Sequence, residues 1–271
     1  MVQDDIAILV VSWDGYQKLW EPFFHCFFKY WADCPYPVFL GSNSAVYSDR
    51  RVTPVLIGPD RDFSSNLIAM LSQIKQERVL LWLDDVFLSA PVNTDNVRRL
   101  ITVAQDKNVA LVQFLVKRFD PIPFLGCRPV SPEIKEIPTG VPYRVSLNLG
   151  FWRKDVLLKL LHSGETAWEI ERRGTLRSFE SEYRFGCISG EQIDEPPFQF
   201  VHGVYRKQWT WEAIRFLQRE GLRADIDFLS VQSYWSHLWL HLYIFLRYIG
   251  FRFVYRFQGA PGLLRLVSGK S

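Results

Sequence analysis

Two adjacent carboxylates, Asp84 and Asp85, close an uninterrupted apolar run, Val79-Leu80-Leu81-Trp82-Leu83. A run without polar interruption predicts a strand buried on both faces. An unpaired carboxylate inside such a core costs several kcal/mol, so the pair must emerge at the strand's C-terminal edge. Open α/β sheets bind their ligands at that edge. Neighbouring carboxylates repel each other, and a cation relieves the repulsion. Hard oxygen donors suit Mg²⁺ or Mn²⁺, shared with a substrate's phosphates. The plainer reading makes the pair the start of a solvated turn.

Other residues could serve such a site. Ser65 and Asn66 stand one turn into a helix and could hold a ribose or a phosphate; first-turn polar residues of a helix are the simpler account. Glu169 and Glu171 flank Ile170 beside Trp168. Residues two apart on a helix point to different sides, so only one of the two enters a cleft; the plainer reading is a solvated helix carrying Glu169 against Arg172 or Arg173. His202 lies in an apolar strand, where a satisfied core histidine is the ordinary occupant. Gly203 after it permits close backbone approach. Arg206 and Lys207 could meet a diphosphate or simply form a solvated face.

The elements that carry these residues alternate. Strands are expected over 6–11, 38–40, 52–57, 79–83 and 109–116. Helices are expected over 17–31, from an N-cap at Asp62 through 76, and from a cap at Thr94. The β-α alternation through residue 116 predicts an α/β fold with a mostly parallel sheet flanked by helices. Pro22 is tolerable only near the first turn of its helix. Residues 117–145 hold six prolines, including Pro121 and Pro123, and read as a long loop. A strand over 145–152, a short helix at 156–161 ended by Gly164, an extended stretch at 198–204 and a helix over 209–220 stopped by Gly221 complete the body.

The chain has 271 residues, 48% of them hydrophobic, with ten Trp and 21 Phe. That supports one large catalytic domain, placed at 1–225, and an apolar, basic helical appendage at 226–271. A net charge of +3 lends no support to nucleic-acid binding. Four cysteines without CxxC spacing argue against a zinc knuckle or redox pair and fit a reduced, cytoplasmic compartment. Asp4 and Asp5 before the first apolar run argue against a signal peptide.

With these pieces in order, the chain resembles a GT-A-fold glycosyltransferase, in particular bacterial members found in exopolysaccharide and O-antigen gene sets. The resemblance spans roughly residues 6–221. It rests on Ser12-Trp13-Asp14 after the first strand, the aromatic stretch 24–37, and Asp84-Asp85 as a DxD-like pair. Ser146-Leu147-Asn148-Leu149-Gly150-Phe151-Trp152, Ala167-Trp168-Glu169-Ile170-Glu171 and His202-Gly203-Val204 complete it. It implies a nucleotide-sugar donor, a saccharide or lipid-linked acceptor, and a metal-assisted, inverting transfer. By the same resemblance, Ser12 and Asp14 stand with Asp84 at the donor, and Asp84, Asp85 and His202 at the metal. Glu169, with Glu171 as second choice, supplies the base, and Asn148 and Trp152 line the acceptor pocket. The acids read Asp-Asp rather than Asp-x-Asp, which leaves open which one touches metal. A sugar-phosphate nucleotidyltransferase is the first rival, but its Gly-rich loop is replaced here by Ser12-Trp13-Asp14-Gly15. A non-catalytic, membrane-associated protein with a degenerate transferase fold is the second.

The tail is a separate signal. Residues 234–257 are strongly apolar and aromatic, and no Asp or Glu follows Phe228. His237, His241 and Arg247 are costly at a bilayer centre. Trp, Tyr and Arg suit the headgroup interface. The expectation is a peripheral anchor on the inner face of the plasma membrane, against packing on the domain or a homodimer contact.

Overall fold

The computed structural model describes residues 5–114, 126–189 and 196–268. Its centre is a nine-stranded sheet. In chain order the strands are β1 (Ile6–Val11), β2 (Val38–Ser42), β3 (Val52–Leu56), β4 (Arg78–Leu83), β6 (Val109–Gln113), β7 (Arg128–Pro129), β8 (Ile134–Glu136), β9 (Gly150–Arg153) and β10 (Arg184–Ile188). The spatial order is β3-β2-β1-β4-β9-β6-β10-β8-β7. β1 to β4 are mutually parallel, and β10 is parallel to β6. β9 runs against both β4 and β6, and β8 runs against β10.

Helices cover both faces because both faces are apolar. Ile6, Ile8 and Val10 of β1 point to one side, into a cluster with Leu19, Phe23 and Phe27 of α1 (Gln17–Tyr30) and Leu100 of α3 (Thr94–Asp106). Ala7, Leu9 and Val11 point to the other side, against Leu67 and Met70 of α2 (Phe63–Gln73), Leu157 of α4 (Lys154–Leu160) and Ile170 of α5 (Ala167–Arg177). This period-two division of one strand between two cores is what an uninterrupted apolar run means in a covered sheet.

The expected elements are present with shifted ends. Asp62 caps α2 through the Ser65 amide, but Asn93 rather than Thr94 caps α3, accepting from the Asn96 amide. Pro22 lies six residues into α1, past the first turn; its side chain is buried in the core. The run expected as a strand over 145–152 pairs only from Gly150. Residues 115–125, with Pro121 and Pro123, lie outside the described residues; the rest of the expected loop contains β7 and β8. α6 (Trp211–Arg219) is capped by Thr210 and followed by Gly221 at φ +75°. None of the four cysteines forms a disulfide.

Four short strands lie outside the main sheet. β5 (Val86–Leu88) pairs antiparallel with β11 (Phe200–His202), and β12 (Val204–Tyr205) forms a hairpin with β13 (Gln208–Trp209). A long helix, α7 (Tyr234–Ser268), is kinked at Gly259. The connection before it is tied to the body: the Trp209 indole donates to the Asp225 carbonyl (2.9 Å), and Lys18 pairs with the Asp225 carboxylate (2.7 Å).

Candidate active site

Parallel strands β1 to β4 end on one edge, and the loops at their C-terminal ends build the site. β4 ends at Leu83, Asp84 and Asp85 make the turn, and β5 begins at Val86. The Trp82 indole donates to the Val86 carbonyl (2.7 Å), bridging the acid turn from beneath. Asp84 is buried, with 5% of its surface exposed. Its carboxylate accepts a short hydrogen bond from the Ser12 hydroxyl, which in turn accepts from the Trp20 indole (2.7 Å). A chain from α1 through the end of β1 therefore fixes the first acid.

Burial raises both acids. Asp84 is pushed well above the ordinary carboxylate range by burial and then by the neighbouring Asp85 charge, which outweigh the Ser12 hydrogen bond. Burial pushes Asp85 up to about 6. No Lys or Arg among the described residues offsets either charge. Two partly desolvated oxygen donors without a counter-cation fit a hard divalent ion that completes its shell with water and ligand phosphates. Among the described residues no set of three His, Cys, Asp or Glu is arranged to hold an ion. His202, opposite Val86 in the β5–β11 ladder, is thus not brought together with the two acids as a third ligand.

The turn is held from the far side as well. The Gly203 amide donates to the Asp85 carbonyl at 2.6 Å. A Cβ on Gly203 would stand 2.7 Å from the Phe87 ring and 3.1 Å from that carbonyl, so only glycine allows the approach. Thr210 donates from its hydroxyl to the His202 carbonyl (2.6 Å) while capping α6. His202 thus contributes through its backbone, and its ring packs edge-on against Phe200.

Several expected site residues do other work. Asp14 accepts from the amides of Asn43, Ser44 and Ala45 and from the Ser44 hydroxyl. Burial alone would raise it, yet these donors together hold it below its ordinary value. Its carboxylate therefore joins the loops after β1 and β2 instead of reaching outward. Ser65 donates from both amide and hydroxyl to Asp62, and the Asn66 amide group donates to Asp60 (2.6 Å), so both close the start of α2. Glu169 completes a capping box with Thr166 and pairs with Arg173 (3.2 Å). Those bonds, the Thr166 amide first, hold it below its ordinary value. Glu171 is the inward glutamate: it is buried and accepts from the Ser146 hydroxyl and the Leu147 amide, both at 3.0 Å. Burial raises it despite those donors. Asn148, partly exposed, lies in the same segment just before β9. Trp152 corrects the acceptor-pocket expectation: it has no exposed surface and packs edge-on against Phe185, between β4 and β6. A residue in the middle of a covered sheet cannot line an open pocket.

Tyr16 belongs to the site and carries no motif. Its phenol is raised first by burial and then by the charges of Asp84 and Asp85, whose field reaches it. Its ring lies 5.7 Å from that of Trp13 and 6.1 Å from that of Phe228. Trp13 is 42% exposed, so an aromatic face borders the acid turn.

No family profile matches the sequence, and no curated protein does. Solved structures do match in fold. A mannosyltransferase from Pyrobaculum calidifontis, PcManGT, solved in complex with GDP-Man and Mn²⁺, is 13% identical. The match covers 99% of this chain and 76% of that one, with a TM-score of 0.51. A UTP-bound UGPase from Acinetobacter baumannii is 11% identical over 89% of this chain and 99% of that one, with a TM-score of 0.50. Residues 1–349 of TarS from S. aureus are 12% identical; the match covers 69% of this chain and 58% of that one, with a TM-score of 0.47. The fold is GT-A-like: an α/β layer structure whose mostly parallel sheet is covered by helices on both faces.

Proposed function

We propose that this chain is a nucleotide-sugar-dependent glycosyltransferase acting with Mn²⁺ or Mg²⁺. The observation that carries the reading is the acid turn. Asp84, buried, and Asp85, half-buried, sit at the C-terminal edge of the central parallel strands, clamped by Ser12, Trp82 and Gly203, and lack a counter-cation among the described residues. A fold that keeps two repelling carboxylates there gives up stability that a bound cation restores. The fold likeness to PcManGT, solved with GDP-Man and Mn²⁺, supports the choice of ligand class.

In this reading Asp84 and Asp85 would hold the cation, which when bound would supply positive charge to balance a departing nucleoside diphosphate. Trp13 and Tyr16 offer ring faces beside the acids on which a base can stack. Ser12 keeps Asp84 oriented through its short hydrogen bond. Glu171 is the base: burial raises its affinity for a proton, as taking one from an acceptor hydroxyl near neutral pH requires. Ser146 and Leu147 hold its carboxylate next to Asn148, where a saccharide or lipid-linked acceptor presents its hydroxyl. Glu169, bound into the capping box, stays outside the chemistry.

The nucleotidyltransferase reading draws on the likeness to the UGPase fold. It is disfavoured by the loop after β1. A Cβ on Gly15 would lie 2.3 Å from the Trp13 indole, so this glycine makes room for a side chain and not for a triphosphate.

The test is a panel of sugar nucleotides assayed by thermal shift and by donor hydrolysis, with and without Mn²⁺. One sugar nucleotide should stabilise the protein only with Mn²⁺ and be slowly hydrolysed. Stabilisation by a nucleoside triphosphate with pyrophosphate release would select the nucleotidyltransferase. No response to any nucleotide would defeat both readings.

A further inference from the structure

We propose that the outer face of α7 lies on an anionic bilayer surface. Around its middle the inner face is occupied: Phe251 is buried in the core, and Val254 and Tyr255 pack against it. The opposite face is bare. Trp235, Trp239, Leu242, Leu246, Ile249 and Phe253 recur at steps of four and three, and Phe257 continues the row. That spacing places them on one side of the helix, a stripe about 33 Å long at 1.5 Å per residue. The exposures are high, 69% for Trp235 and 67% for Phe257. A contiguous apolar stripe of this length marks an interaction surface.

Charge chooses the occupant. No Asp or Glu follows Phe228 in the sequence. Arg256 is exposed beside the stripe. At the stripe's start, the exposed pair Arg206-Lys207 forms the tip of the β12–β13 hairpin, both at positive φ. A cavity of about 490 Å³ between hairpin and helix is lined by Arg206, Gln232, Trp235 and Trp239, so this basic tip borders the apolar stripe. A second copy docked across a two-fold axis would bring this acid-free segment against itself, placing its cations in mutual repulsion. Anionic headgroups attract the same cations, while Trp and Tyr rings favour the interfacial layer. No helix among the described residues is long and apolar enough to cross a membrane. The helix therefore lies along the surface.

The placement reaches the acid turn. The hairpin starts at Gly203, bonded to the Asp85 carbonyl, and its tip is about 10 Å further along extended chain. A hydroxyl on a bilayer-anchored molecule would thus stand close to Asp84 and Asp85; this last step rests on the transferase reading, and the docking itself does not.

The test is flotation of the full chain with phosphatidylcholine vesicles, with and without phosphatidylglycerol. The comparison variant combines Leu242→Glu and Leu246→Glu, two exposed positions, with melting curves recorded in parallel. The expected result is co-flotation with phosphatidylglycerol vesicles, weaker binding to neutral ones, and a loss of at least about tenfold in the variant at unchanged melting. Absence of flotation, or flotation that the variant retains, overturns the proposal. So does a dimer in light scattering that the variant dissociates, which would assign the face to a second copy. Flotation reads no turnover, so a chain that floats but transfers no sugar fails only the transferase reading.

Discussion

Replacing Asp85 by Asn keeps its size and removes its charge, and it separates stability from function. Burial raises this carboxyl from 3.8 to about 6. The folded chain therefore holds a proton that the unfolded chain releases near pH 3.8. The stability this contributes is complete below pH 3.8 and is lost as the pH rises through 6. About two pKa units at 1.36 kcal/mol each make the ionised group a burden of roughly 3 kcal/mol at neutral pH. Asp85→Asn should relieve most of it, raising the melting temperature by about 5–10 °C at pH 7.5 in the absence of metal. At pH 4 the gap between the two proteins should shrink to under about 1 kcal/mol. With Mn²⁺ and the sugar nucleotide the order should reverse: the wild type gains stability and the variant does not, because a neutral amide is a poor ligand for a hard cation. Thermal melts at both pH values, with and without Mn²⁺, measure all of this. A variant that melts below the wild type at pH 7.5, a pH-independent gap, or a variant that responds to Mn²⁺ like the wild type would refute the reasoning.

Glu171→Gln keeps an oxygen that can accept from Ser146 and Leu147, so the fold should persist while turnover falls by about a hundredfold or more; a variant of near wild-type rate would reduce Glu171 to an anchor for the segment before β9. Glu169→Gln should leave turnover within about twofold, since its side chain serves the capping box, and a dead Glu169→Gln enzyme would return the base to that position. Ser12→Ala orphans the buried Trp20 indole and releases Asp84, so it should cost about 1–3 kcal/mol of stability and weaken Mn²⁺-dependent donor binding, both read by thermal shift.

The covered sheet was legible because its strands need no alternation. The runs at 6–11 and 79–83 could only be two-faced strands, and a charge pair at the end of one of them had to leave the core. Strand direction was not legible. Four residues of β9, Gly150–Arg153, carry no mark of running against their neighbours, so an apolar run that included Trp152 read equally well as a rim. β10 carries only a weak strand pattern, because Gly186 and the charged residues before it interrupt its apolar run. The role of Glu169 is legible in Thr166-x-x-Glu169, which is the capping-box spacing. Tyr16 offered no sequence signal. Its importance comes from β1 and β4 being neighbours, which brings the loop after one strand to the acids after the other.

That adjacency explains why the acid pair stays charged-capable and unpaired in a core built largely of aromatic side chains. Each element around it is fixed by a neutral donor: the Ser12 hydroxyl, the Trp82 indole below the turn, and the Gly203 amide beyond it. Neutral donors set geometry without neutralising charge, whereas an arginine in any of these places would lower both carboxyls and occupy the cation's position. The geometry of the turn is thus set by neutral partners, and on the proposed reading its electrostatic balance is left to a bound cation. Instability confined to one turn, in a sheet whose two faces are otherwise densely packed, is the arrangement expected of a binding site and not of a structural turn.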